Sequence, residues 1–138
     1  GKGGIGKSMV ASHISFAFAN KGMNVMHVGC DPKHDSTRLL LEGKMPTTIL
    51  DVLREKDFDL KSVTLGEIVS ESPIDSDCKG KIYCAESGGP EAGIGCGGKG
   101  VIEAIDALKH FDAYNELNLD MVLYDVLGDV VCGGFAMP

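Results

Sequence analysis

The chain opens on Gly1-Lys2-Gly3-Gly4-Ile5-Gly6-Lys7-Ser8, and these eight residues decide the fold. They satisfy the phosphate-loop pattern G-x-x-x-x-G-K-S/T. Glycines let backbone N–H groups turn inward around phosphate oxygens, where side chains would block the approach. Gly1, Gly3, Gly4 and Gly6, with Lys2 and Ile5 between them, make the cradle. Lys7 is placed to neutralise the β- and γ-phosphates. Ser8 is placed to ligate Mg²⁺ at a helix N-terminus, where the dipole also favours anions. The same residues fit G-x-G-x-x-G, with Asp31 25 positions beyond Gly6, as a dinucleotide fold would have it. Lys7-Ser8 decides between the two, because a dinucleotide site has no use for a cation and a hydroxyl there.

Outward from the loop, helix and strand patterns alternate. Between Lys7 and Lys21, Val10, Ile14, Ala17 and Phe18 recur at helical spacing. They predict an amphipathic helix with that apolar face, ended by Gly22. Asn24 to Val28 reads as a strand running into Gly29-Cys30-Asp31-Pro32. Thr47 or Thr48 can cap a helix carrying Ile49, Leu50 and Leu53. Residues 57–80 are polar and weakly periodic, with a short helix at 64–70. Lys81–Ala85 and Leu119–Tyr124 read as strands, with a helix marked by Val101, Ile105 and Leu108 between them. This alternation implies an α/β fold with a doubly wound, mostly parallel sheet. A phosphate loop normally follows a strand. We therefore read residues 1–138 as part of a longer domain, lacking its first strand and its C-terminal part.

Ligands bind such sheets at the carboxyl ends of the strands. Two strands there run into acidic residues. Asp31 and Asp35 follow the first, in Cys30-Asp31-Pro32-Lys33-His34-Asp35-Ser36-Thr37; Asp125 and Asp129 follow the last, in Tyr124-Asp125-Val126-Leu127-Gly128-Asp129. An aspartate alone at such a place is commonly a turn-former or a cap. Beside a phosphate loop, Asp125 fits the Mg²⁺-side carboxylate of an ATPase. Asp35 and Asp129 are candidates for orienting the attacking water or for a switch.

Composition narrows the classes. Twenty Asp+Glu against 13 Lys+Arg give a net charge of −7, which argues against a nucleic-acid surface. No apolar run reaches the ~18–20 residues of a membrane span, and the chain reads as cytoplasmic. Of 19 glycines, 14 fall within residues 1–6, 88–100 and 128–134, so the excess belongs to three tight loops. The second loop holds Cys96 in Gly95-Cys96-Gly97-Gly98, and the third holds Cys132 before Gly133-Gly134. Glycine beside a thiolate leaves N–H groups free to hydrogen-bond sulfur, a feature that tunes iron–sulfur clusters. Two such cysteines are half the set a 4Fe–4S cluster needs, and a two-fold dimer would supply the rest. By spacing alone, buried or free thiols are the commoner reading, and that reading serves Cys30, Cys78 and Cys84.

Gly1–Ser8, Val28–Asp35, Glu86–Gly100 and Tyr124–Pro138 together resemble the nitrogenase iron protein family, in order and along nearly the whole chain. Lys2 matches the "deviant" phosphate loop of dimeric ATPases, where it reaches the partner subunit's nucleotide. The resemblance implies a homodimer with MgATP at each phosphate loop. It also implies one 4Fe–4S cluster per dimer, held by Cys96 and Cys132 of each subunit. The segments around Asp31–Ser36 and Asp125–Cys132 correspond to its nucleotide-responsive switches. The implied activity is ATP-dependent, one-electron reduction of a nitrogenase catalytic component, molybdenum–iron type or analogue. Ferredoxin or flavodoxin would be the electron donor.

Three positions depart from the family's habit. Met9 stands where threonine is usual, His34 where alanine is usual, and Lys99 where many members carry a partner-docking arginine. Lysine keeps the charge but loses the planar fork, which is compatible with docking and speaks against arginine-directed modification. A nitrogenase-like reductase with another partner, such as one reducing a tetrapyrrole, would have the same site residues. A non-redox ATPase switch of the deviant group would have no need of Cys96 and Cys132.

Overall fold

The computed structural model describes residues 6–30, 36–74, 78–88 and 97–126. In chain order the elements are α1 (Lys7–Asn20), β1 (Val25–Cys30), α2 (Ile49–Glu55), a 3₁₀ turn (Leu60–Ser62), α3 (Leu65–Ile68), β2 (Ser70–Glu71), β3 (Ile82–Glu86), α4 (Gly97–His110), α5 (Ala113–Glu116) and β4 (Met121–Val126). The sheet order is β2-β3-β1-β4. β1 runs parallel to both β3 and β4, and the two-residue β2 is an antiparallel edge. This is the expected α/β, mostly parallel arrangement.

Local chemistry places the elements. Thr48 caps α2, its hydroxyl accepting the Asp51 N–H at 3.1 Å. Gly22, at φ 100°, ends α1 as predicted. The Asn24 side chain fixes the start of the sheet. Its amide donates to the Asn118 carbonyl at 3.0 Å and its oxygen accepts the Lys81 N–H at 3.1 Å. One residue thus ties the entries of β3 and β4 to β1. The 3₁₀ turn, β2 and α5 fall in stretches whose sequence has no clear period.

All six residues of β1 are buried, as a central parallel strand covered on both faces must be. Its Met26, Val28 and Cys30 face a broad apolar core shared with Ile49, Leu50 and Leu53 of α2 and Leu108 of α4. The opposite face carries Val25, His27 and Gly29 and is covered by α1. There the apolar cluster is small: Ala19, Leu40, Leu41, Ile82 and Cys84.

Helix α1 corrects the expectation drawn from its periodicity. Its buried residues are Ser12, Ser15 and Ala19. Val10, Ile14 and Ala17 are exposed and Phe18 only half-buried. The reason lies across the interface, where His27 is fully buried and needs hydroxyl partners. Small polar side chains on the helix meet that need and allow close approach, whereas Val10 and Ile14 would not.

Candidate functional site

The site lies at the carboxyl end of the sheet. Register sets Gly29 of β1 between Glu86 of β3 and Asp125 of β4. A Cβ on Gly29 would sit 2.0 Å from Glu86 Oε2, so glycine is what leaves room for that carboxylate. Glu86 Oε1 accepts the Thr37 N–H at 2.7 Å, fixing the turn after β1 to the end of β3.

Asp125 is where the site converges. The phosphate loop enters α1 through Gly6, at φ 85° with no side chain capping the helix. Glycine tolerates that left-handed backbone. The next two residues reach Asp125 from 117 or more positions away in sequence. Lys7 Nζ pairs with Asp125 Oδ1, and Ser8 Oγ donates to Oδ2 at 2.7 Å. Ser36 Oγ donates to the same Oδ2 at 2.5 Å. Burial pushes the Asp125 carboxyl up. The hydrogen bonds from Lys7, Ser36 and Ser8, with the Lys7 charge, outweigh it and hold the group below the usual carboxylate range.

Behind Asp125 lies a buried polar chain. His27 Nε2 is 2.8 Å from Ser36 Oγ, and His27 Nδ1 is 2.9 Å from Ser15 Oγ. Ser12 Oγ donates to the Ser36 carbonyl at 3.3 Å. Burial drives the His27 pKa down to about 4, with Asp125 opposing and Lys7 assisting, so the imidazole is neutral at pH 7. Beside Ser8 and Ser36 lies a cavity of about 350 Å³, lined also by Met9, Ser12, Arg38 and Leu39.

Cys30, on the opposite face of β1, has its thiol pushed up to about 12 by burial and by Glu86 and Asp125. Its thiol therefore stays protonated at neutral pH. Among the described residues no group of three or more His, Cys, Asp or Glu could hold a metal ion, and no disulfide forms. No helix among them is long and apolar enough to cross a membrane.

Of the residues singled out by sequence, the structure brings together Gly6, Lys7, Ser8 and Asp125. Gly1, Lys2, Gly3, Gly4, Ile5, Asp31, Asp35, Cys96, Asp129 and Cys132 lie outside the described residues. Sequence reasoning placed Ser36 only at the end of a switch segment and assigned no part to His27 or Ser15. The available signal was a histidine inside an apolar strand, opposite a helix with Ser8, Ser12 and Ser15 at helical spacing.

Comparison with known proteins fits this geometry. The family model described as "4Fe-4S iron sulfur cluster binding proteins, NifH/frxC family" matches residues 1–138. The chain is 53% identical over 141 residues to nitrogenase iron protein 2 of Methanothermococcus thermolithotrophicus, covering all of this chain and 48% of that protein. It is 50% identical to the nitrogenase iron protein of Methanococcus voltae and 48% identical to that of Methanospirillum hungatei. In both cases all of this chain aligns, with 46% and 45% of the relative. The chain thus spans about half the length of these relatives. With a phosphate-loop lysine and serine meeting a strand-end aspartate, it belongs to the NifH/frxC family of 4Fe–4S cluster binding proteins and has their P-loop NTPase fold.

Proposed function

We propose that this chain is the nucleotide- and cluster-binding part of an ATP-dependent reductase that passes single electrons to a nitrogenase catalytic component. The observation that carries the reading is the convergence of Lys7 and Ser8 on Asp125, on a strand whose chain continues toward Cys132. The donor set suits MgATP: an ammonium for phosphate, a hydroxyl for Mg²⁺, and a carboxylate on the metal side. Gly1–Ser8 would hold the phosphates, with Lys2 reaching the partner subunit's nucleotide. Asp31, Asp35 and Asp129 would orient water or switch. Cys96 and Cys132 from each of two subunits would hold one 4Fe–4S cluster, which supplies the one-electron donor when bound.

In this reading Lys7 and Ser8 have two alternative partners. Without nucleotide they hold Asp125; phosphate and Mg²⁺ draw them off. Asp125 and Cys132 are seven residues apart, at most about 25 Å even fully extended. A change of partners at Asp125 is therefore delivered within a short stretch of chain to a cluster ligand. Such order or shape changes drive other nucleotide switches, and differential affinity for the two states supplies the drive.

The test is anaerobic purification of the full-length protein, followed by iron analysis and EPR of the dithionite-reduced form. A reduced-cluster signal with about four irons per dimer is expected. A colourless, iron-free and EPR-silent protein sinks the reductase reading and leaves a non-redox ATPase switch. Because the matching family model spans two named groups, NifH and frxC, a reductase with another catalytic partner is the second reading. ATP-dependent electron delivery to a nitrogenase catalytic component separates the two.

A further inference from the structure

We propose that His27 is a positioning residue for the Asp125 carboxylate, acting through Ser36, and that it keeps this carboxylate in place when nucleotide takes Lys7 and Ser8 away. The inference rests on the nucleotide site proposed above and adds to it a residue from the interior of the sheet.

Proton counting gives the chain its direction. Ser36 has one hydroxyl proton, and it goes to Asp125 Oδ2 at 2.5 Å. The contact between Ser36 Oγ and His27 Nε2, at 2.8 Å, then needs its proton from the imidazole. His27 is therefore the Nε2–H tautomer, and its bare Nδ1 accepts the Ser15 hydroxyl at 2.9 Å. Every donor points the same way, from Ser15 to His27 to Ser36 to Asp125. Aligned hydrogen bonds polarise one another, so the last one is strengthened by those behind it.

The two sides of Asp125 differ in what can reach them. Lys7 and Ser8 belong to the phosphate loop and are only half-buried. Ser15, His27 and Ser36 are at most 1% exposed and anchored on α1, on β1 and in the following turn. A nucleotide seated on the phosphate loop competes for the first pair, while His27 and Ser15 are buried behind them. Once Lys7 and Ser8 are drawn away, Ser36 is what remains on the carboxylate among the described residues, and His27 holds its hydroxyl.

The test uses the full-length protein and equilibrium dialysis of ATP, with Mg²⁺ and with EDTA. His27→Leu fills similar space without a donor. It should lose about 10-fold in affinity with Mg²⁺, the upper end of what one neutral hydrogen bond contributes, and change less than about 2-fold in EDTA. His27→Gln restores an N–H donor toward Ser36 and should stay within about 3-fold of the parent. Leucine binding MgATP like the parent overturns the proposal. So does an equal loss with and without Mg²⁺, which would mark a structural role only. ¹⁵N spectra of the nucleotide-free protein give a second, nucleotide-independent readout: an Nε2–H resonance supports the relay, and an Nδ1–H resonance overturns it. A parent whose ATP affinity ignores Mg²⁺ refutes the Mg²⁺ site instead, and the tautomer then decides the relay.

Discussion

The two faces of one strand have been put to opposite uses. Met26, Val28 and Cys30 point from β1 into a broad apolar core, while His27 and Gly29 point into a layer of hydroxyls and carboxylates. The backbone is the same, and the period of two separates the environments completely. The second face also changes along its length. Val25 lies between Ile82 and Met121, His27 between Cys84 and Leu123, and Gly29 between Glu86 and Asp125. Polarity rises toward the carboxyl end, where ligands bind in such sheets. One face supplies stability, the other positions charge.

That division is open to attack from either side. The largest effect is expected on the apolar face. Leu108 is fully buried there, and Leu108→Ala should cost about 2–5 kcal/mol in denaturant unfolding, with ATP affinity unchanged in the remaining folded protein. A comparable fall in nucleotide affinity would show that the two faces are not separable.

Acid is expected to act next, through the polar face. His27 has its ordinary value of 6.5 in the unfolded chain and about 4 in the folded one. Above pH 6.5 neither state is protonated. Between 6.5 and about 4 only the unfolded state takes the proton, so stability falls as pH falls. Below about 4 the loss is complete, at about 3 kcal/mol. Unfolding free energies measured from pH 7 to 4.5 should fall less steeply in His27→Leu than in the parent. Asp125, held below its ordinary 3.8, loses its contribution only at lower pH and does not confound that window. Equal slopes would remove His27 from the account.

The smallest effect is expected at the rim of the relay. Ser12 makes a single 3.3 Å bond to the Ser36 carbonyl, so Ser12→Ala should cost under about 1 kcal/mol and leave the Mg²⁺ dependence of ATP binding intact. A larger loss there would mean that Ser36 is held from its carbonyl as much as from His27.

The same division explains what the sequence disclosed. The phosphate loop, the Thr48 cap, the parallel alternation and Asp125 at its strand end were all legible, because each is a local pattern with a local physical cause. The inner face of α1 was not. Periodicity counts apolar side chains and assumes that they face inward, which fails where the facing strand buries a histidine. Ser36 was legible only as part of a loop. Its partners lie 9 residues back on β1 and 89 residues ahead on β4, and no local window joins them. Cys96 and Cys132 were read from their glycine collars and from resemblance, and they lie outside the described residues.

Cys30 carries a consequence for how such a protein is loaded with iron. It is one residue from Gly29 and Asp31, in a chain of a 4Fe–4S cluster binding family. A thiol that keeps its proton until about pH 12 offers iron no sulfide-like anion at cellular pH and reacts slowly with oxidants and alkylating agents. Burial first, and the carboxylates of Glu86 and Asp125 second, thereby silence this thiol.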